Sequence, residues 1–215
     1  MKTKDRIIYG ALELFNQDGE RNVTTNHIAA HLEISPGNLY YHFRNKEEII
    51  HSIFNNYAQE LKTRFQPIHL DEQSQVPSLQ VMLNYLDSIF VLMWSYRFFY
   101  ANLPDILGRD QSLQLKYLQA QQDLNDNLIG IMNNFRHAQL IDLDDDELAA
   151  LTKTLHLVSS CWINYQTVMS SDVKITETVI YQGMIQMLNV VRPIATELGR
   201  QQILELEKHY KERMK

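Results

Sequence analysis

Three helix starts fall in close succession between Thr24 and Glu48, and few folds accommodate that spacing. Thr24 is placed to cap a short helix whose apolar positions are Ile28, Ala29 and Leu32. Ser35 is placed to cap a second, with Pro36 at the first helical position, where its missing N–H costs nothing. Asn45 begins a third, and Glu48 three residues later completes a capping-box pattern. Two short helices joined by a three-residue turn and held by flanking helices form a helix-turn-helix. Such a unit offers its second helix to a DNA major groove.

The residues at fixed spacing within this stretch are Thr24, Thr25, Ile28 and Ala29, then Ser35, Gly37, Leu39, Tyr40, His42 and Phe43, then Lys46 and Glu48. They match the pattern Thr-Thr-x-x-Ile-Ala, Ser-x-Gly-x-Leu-Tyr-x-His-Phe, Lys-x-Glu. On that pattern the segment resembles the DNA-binding domain of the TetR family of bacterial transcriptional regulators. The resemblance covers about the first quarter of the chain. One position departs from it: Glu33 stands where family members usually carry a turn glycine, which accepts positive φ readily.

The remainder reads as all-α. Of the 215 residues 45% are hydrophobic, only 7 are glycine and 5 proline, and apolar positions recur at three- and four-residue spacing. A first helix is expected from Thr3 to Gln17, with Ile8, Ala11, Leu12 and Phe15 on one stripe. A helix from Lys46 to about Phe65 carries Ile49, Ile50, Ile53, Phe54, Tyr57 and Leu61 on its apolar face. Residues 66–78, between Pro67 and Pro77, read as a loop. Further helices are expected over 78–101, 104–107, 110–137, 147–169 and 176–191, with Pro193 separating a last one. The organisation expected is a three-helix reading domain over 1–47 and a helical bundle over 48–215 that binds ligand and dimerises.

Charge divides unevenly. Residues 1–65 hold eight Lys/Arg and eight Asp/Glu, so the net −6 lies on 66–215. A neutral reading head on an acidic body implies modest non-specific DNA affinity, with local donor placement mattering more than bulk charge. The lone Cys161 allows no intrachain disulfide and fits a reducing cytoplasm. The N-terminus lacks signal-peptide patterning, and the longest apolar run, Ile89 to Trp94, is too short to span a bilayer.

The acidic run Asp142, Asp144, Asp145, Asp146, Glu147 lacks the glycine and spaced glutamate of a calcium loop and reads as helix capping. The histidines show no ligand spacing. No Ser-His-Asp order, metal motif or phosphate loop points to an enzyme, so no catalytic residue, metal or cofactor is expected.

On the second helix of the motif, Leu39 and Phe43 should face inward, leaving Gly37, Asn38 and Tyr41 outward. Asn38 can donate and accept, which suits a base edge such as adenine. Tyr41 offers a ring for a thymine methyl. The family resemblance implies phosphate contacts from Thr25, Tyr40, His42 and Lys46, with Thr24, Ser35 and Pro36 completing the DNA-facing set. It also implies a ligand cavity in the second domain, for which the aromatic residues Phe90, Trp94, Phe98, Tyr117, Trp162 and Tyr165 are candidate lining. Dimerisation through two C-terminal helices is implied as well, with Ser159, Ser160, Cys161, Met184, Met187, Leu188 and Val191 as candidate contacts. The expected function is that of a homodimeric repressor, released from a palindromic double-stranded DNA operator by a small apolar or aromatic effector. The alternative is a regulator whose second domain answers to a protein partner or to no ligand.

Overall fold

A computed structural model describes residues 2–68, 79–169 and 174–215. The described residues form ten α-helices: α1 Thr3–Asp18, α2 Thr25–His31, α3 Pro36–His42, α4 Lys46–Arg64, α5 Leu79–Ser95, α6 Arg97–Gly108, α7 Gln111–His137, α8 Asp145–Met169, α9 Glu177–Val191 and α10 Glu197–Arg213. Short 3₁₀ turns at Glu20–Asn22 and Arg192–Ile194 follow α1 and α9. Among the described residues the only β pairing is a single bridge between Ile141 and Ala195. Of the expected 66–78 loop, residues 69–78, Pro77 included, lie outside the described residues, as does Ser78 as the expected first residue of the next helix.

The caps are where the sequence places them, with one exchange. Thr24 Oγ1 accepts from the His27 amide at 3.2 Å, and His27 Nδ1 reaches back to the Thr24 amide at 3.4 Å. A histidine therefore closes the reciprocal capping box of α2. Ser35 and Asn45 cap α3 and α4 through the amides of Asn38 and Glu48. The Glu48 carboxylate accepts from Arg44 N, one residue before the expected partner. In the α2–α3 turn Glu33 has φ 55°, the left-handed conformation that favours glycine. Asp144 and Glu147 exchange side-chain-to-backbone bonds of 2.9 and 3.0 Å at the start of α8, so the acidic run caps a helix.

The helix expected over 78–101 is divided, and the short one expected at 104–107 is absorbed into α6. The break lies at Tyr96, where Asn16 of α1 inserts. Its amide donates to the Ser95 carbonyl at 2.8 Å and its Oδ1 accepts from the Phe98 amide at 3.0 Å. These bonds satisfy backbone groups that a continuous helix would pair internally. Pro104 then sits inside α6, a position the sequence reading treated as a helix start.

Head and bundle share one core. The buried cluster runs from Ile7, Phe15, Ile28 and Leu39 through Ile53 and Phe54 to Phe98, Leu113 and Ile131. Phe15 meets Phe98 with ring centroids 5.3 Å apart. A second cluster joins α5, α8, α9 and α10 around Ile163, Met184 and Leu206.

A buried carboxylate ties the same two parts together. Glu20 is 1% exposed, and its Oε1 lies 2.8 Å from Lys46 Nζ at the start of α4. Its other oxygen pairs with Arg109, just past α6. Lys46 also donates to the carbonyls of Glu20 and Val23 at 2.9 and 3.1 Å. Beside this cluster Arg21 pairs with Asp105 at the surface. Removing one partner of a buried charge costs about 3–5 kcal/mol. Lys46→Met should therefore lower unfolding free energy by about 3 kcal/mol in urea titration. Glu20→Gln combined with Lys46→Met should lose less than the two single changes added together. Simple additivity would show that the two groups are not coupled.

Candidate DNA-reading surface and interior cavity

The outer face of α3 carries small and exposed residues. Leu39 is fully buried and Phe43 nearly so, which turns Gly37, Asn38, Tyr40 and Tyr41 to solvent. Tyr41 is 85% exposed, its ring edge-on to His42 with centroids 5.1 Å apart. A methyl group added at Gly37 would meet only Ser35 Oγ, at 3.9 Å. Nothing within the chain requires glycine there, which fits a backbone left open to a close partner.

Thr25 and Tyr40, fifteen residues apart, meet with hydroxyl oxygens 3.0 Å apart at one edge of this face. Thr24 and Ser35 accept from helix amides through their hydroxyl oxygens and keep a hydroxyl proton to give. Pro36 is exposed and His42 half-buried on the same unit. Lys46 is the member that differs. Its ammonium donates to the backbone carbonyls of Glu20 and Val23 and forms an ion pair with Glu20 Oε1 at 2.8 Å. It pins α4 to the turn after α1.

The helical bundle contains a cavity of about 160 Å³. Helix α4 contributes Tyr57, Leu61 and Phe65 to its wall, and α5 contributes Met82, Tyr85, Leu86, Ile89 and Leu92. Helix α7 adds Gln121, Leu124, Leu128 and Ile131, α8 adds His156, Ser159 and Ser160, and α9 adds Met187, Leu188 and Val191. Among the described residues no Lys, Arg, Asp or Glu belongs to the lining. Burial pushes the Tyr57 and Tyr100 phenols well above their ordinary range and the His156 imidazole below its own, so every titratable group in the wall is neutral at neutral pH.

None of the six aromatic residues expected to line the cavity does so. The inward phase of α5 is Tyr85, Ile89 and Leu92, and Phe90 and Trp94 are turned away from it by their helical offset of about 100° per residue. Phe90 stacks on Tyr181 at 4.6 Å, and Arg97 lies 4.3 Å from the Trp94 ring centre. Phe98 packs on Phe15. Tyr117 lies 6.4 Å from Phe54. Trp162 donates to the Val179 carbonyl at 2.6 Å and lies over Gly183, where any Cβ would come within 2.6 Å of the indole. Tyr165 is 52% exposed beside it.

The candidate dimer contacts are also redistributed. Met184, Met187 and Leu188 are buried within the chain, and the latter two line the cavity with Val191, Ser159 and Ser160. Of the two candidate helices, α8 carries an exposed apolar stripe at Leu157, Cys161, Tyr165 and Val168, which keeps the expected Cys161, with Val168 75% exposed. Sequence reasoning missed Gln121 and His156. The available signal was a polar residue standing in the inward phase of an apolar stripe, as Gln121 does three residues before Leu124 and seven before Leu128.

Comparison with known proteins bears on the family and the fold. Residues 7–53 match the family model described as bacterial regulatory proteins, tetR family, and residues 56–203 match the TetR model described as bacterial transcriptional repressor. A TetR-family transcriptional regulator from Marinobacter aquaeolei VT8 has a solved structure that is similar at TM-score 0.84 and 37% identity, over 98% of this chain and 99% of that one. The SmeT–triclosan complex is similar at TM-score 0.56 and 15% identity, over 91% of this chain and 92% of that one, a likeness of fold. Among curated proteins, an HTH-type transcriptional regulator of Staphylococcus aureus (strain USA300) is 33% identical over 85 residues, 40% of this chain. The match spans about half, 46%, of that relative's length. No helix among the described residues is long and apolar enough to cross a membrane.

The neutral His156 gives the fold a pH dependence. Its imidazole is held below the ordinary value of 6.5, so below about pH 6.5 the unfolded chain binds more protons than the folded one and stability falls with pH. Urea unfolding at about pH 7.5 and pH 5.5 should show that loss, and His156→Leu should reduce it. An identical loss in the variant would assign the dependence to other groups.

Proposed function

The chain belongs to the TetR family of bacterial regulators, and from that premise we propose that it is a cytoplasmic, homodimeric repressor that leaves a palindromic DNA operator when a small apolar or aromatic effector fills the interior cavity. The observation that carries this reading is the course of α4. Its first residue is held against the reading head by Glu20, and its second half, Tyr57 and Leu61, forms part of the cavity wall. A 19-residue helix extends roughly 28 Å at 1.5 Å per residue, so one rigid element touches both sites. An effector that prefers one tilt of α4 shifts the spacing of two reading heads in a dimer, and affinity for the operator changes with it.

The cavity weighs against a second domain that responds to no ligand. Dispersion contacts are lost around any unfilled interior space, so retaining one costs stability. SmeT, which shares the fold, is solved as a complex with triclosan. The uncharged lining favours an uncharged effector, since burying an unpaired ion is costly.

The DNA contacts follow the face of α3. Asn38 reads a base edge, Tyr41 a neighbouring one, and Thr24, Thr25, Ser35, Tyr40 and His42 hold phosphates, with Gly37 and Pro36 allowing close approach. Asn38→Ala should cost about 1–3 kcal/mol at one base pair per half-site and relax preference there. Competition binding on an operator series reads this directly. Equal losses on operator and random duplex would remove Asn38 from base reading.

The second copy docks through the apolar stripe of α8. Val168→Asp or Leu157→Asp should yield monomers that keep their helical content and lose operator affinity, measured by sedimentation and gel shift. A dimer that survives both changes would move the interface away from α8.

A further inference from the structure

The cavity wall holds a specific hydrogen-bonding vacancy as well as apolar surface. Gln121 Oε1 is buried and has no hydrogen-bond partner among the described residues. The other polar groups around it are largely committed. Tyr85 donates to the Gln66 carbonyl at 2.8 Å, and Ser159 to the His156 carbonyl at 3.0 Å. The hydroxyls of Tyr57 and Tyr100 lie 3.2 Å apart, so one proton bridges them and the other stays available. The Gln121 side chain also reaches the Tyr57 phenol, so the wall offers an unpaired acceptor beside a spare phenolic donor, with the His156 imidazole and the Ser160 hydroxyl as the further polar groups in a largely apolar lining. An unpaired buried acceptor is disfavoured, and a ligand group that donates to it relieves that cost.

We propose that the effector is a neutral hydroxyl compound, whose O–H donates to Gln121 Oε1 and whose oxygen accepts from the Tyr57–Tyr100 pair. This rests on the reading of the cavity as the effector site. A carboxylate would accept only and would bring a charge into a wall that has no cation among the described residues. A hydrocarbon of the same shape would leave Gln121 unpaired. The volume of about 160 Å³ sets the scale at a single substituted ring, since an apolar cavity of similar size takes up benzene.

The test compares p-cresol, p-xylene and 4-methylbenzoate, which differ at one substituent. Binding to the full chain is measured by calorimetry, and release of an operator duplex by fluorescence anisotropy. The wild type should bind p-cresol at least tenfold more tightly than p-xylene and show no binding of 4-methylbenzoate. Gln121→Leu should reverse the order, favouring p-xylene, and should raise the melting temperature because an unpaired acceptor is gone. Gln121→Met repeats the comparison in a side chain of similar length and covers the case in which the leucine variant misfolds. Equal affinity for p-cresol and p-xylene in the wild type, or a preference unchanged by both substitutions, would overturn the hydroxyl reading and leave the cavity as an effector site. Tight binding of 4-methylbenzoate would also overturn it. Failure of all three compounds to bind would overturn the cavity reading together with this one.

Discussion

A carboxylate at 1% exposure imposes conditions on everything around it. Glu20 sits in the turn after α1, and desolvating its charge is tolerable only with cations against it. Lys46 and Arg109 supply them from opposite directions, one at the start of α4 and one just past α6. The position of the reading head on the bundle follows from that requirement. The turn cannot rotate away from α6 without parting Glu20 from Arg109 and leaving the carboxylate half-compensated. Asn16 adds a second constraint a turn earlier, since its bonds to Ser95 and Phe98 set the break between α5 and α6. The ionic and amide contacts together join α1 to α6 on both sides of the shared aromatic packing of Phe15 on Phe98.

Around this joint the helices divide their labour by phase. Helix α4 buries Ile49, Ile50, Ile53 and Phe54 near the head, then presents Tyr57 and Leu61 to the cavity. A further link runs from its middle: His51 Nε2 lies 2.7 Å from Asp110, the residue that caps α7 through the Leu113 amide. Burial would raise the Asp110 carboxyl, but the Leu113 amide and His51 outweigh it and hold it below the usual carboxylate range. The helix that reaches the reading head is therefore fixed by polar contacts at its start and middle and by apolar ones toward its end. Motion at the cavity end has a short mechanical route to the head.

Local chemistry made the reading head legible from the residues. Thr24, Ser35 and Asn45 each cap the helix they precede because short polar side chains satisfy the first free amides. Leu39 and Phe43, four apart, faced inward as their spacing requires, and the departure at Glu33 fell at a positive φ. The bundle was less legible because its decisive contacts are distant in sequence. The break at Tyr96 depends on Asn16, 82 residues before Phe98, and no local signal announces it. Large aromatic side chains at helical spacing drew attention to Phe90, Trp94 and Trp162, yet bulk is what fills space between helices. The cavity is lined by other aromatics, Tyr57, Phe65, Tyr85, Tyr100 and Phe135, among Leu, Ile and Met side chains, and which aromatics face it is set by how the helices pack. Lys46 illustrates a further limit, since its ion pair with the buried Glu20, 26 residues earlier, leaves no local signal in the sequence.

The central claim is that Glu20 joins the reading head and α6 into one cooperative unit. Native-state hydrogen exchange, followed amide by amide through rising denaturant, tests it most directly. The account predicts that the α2–α3 amides and the α6 amides open with the same free energy, and that Glu20→Gln lowers both by a similar amount. A reading head that opens independently of α6, with α6 unaffected by Glu20→Gln, would contradict it.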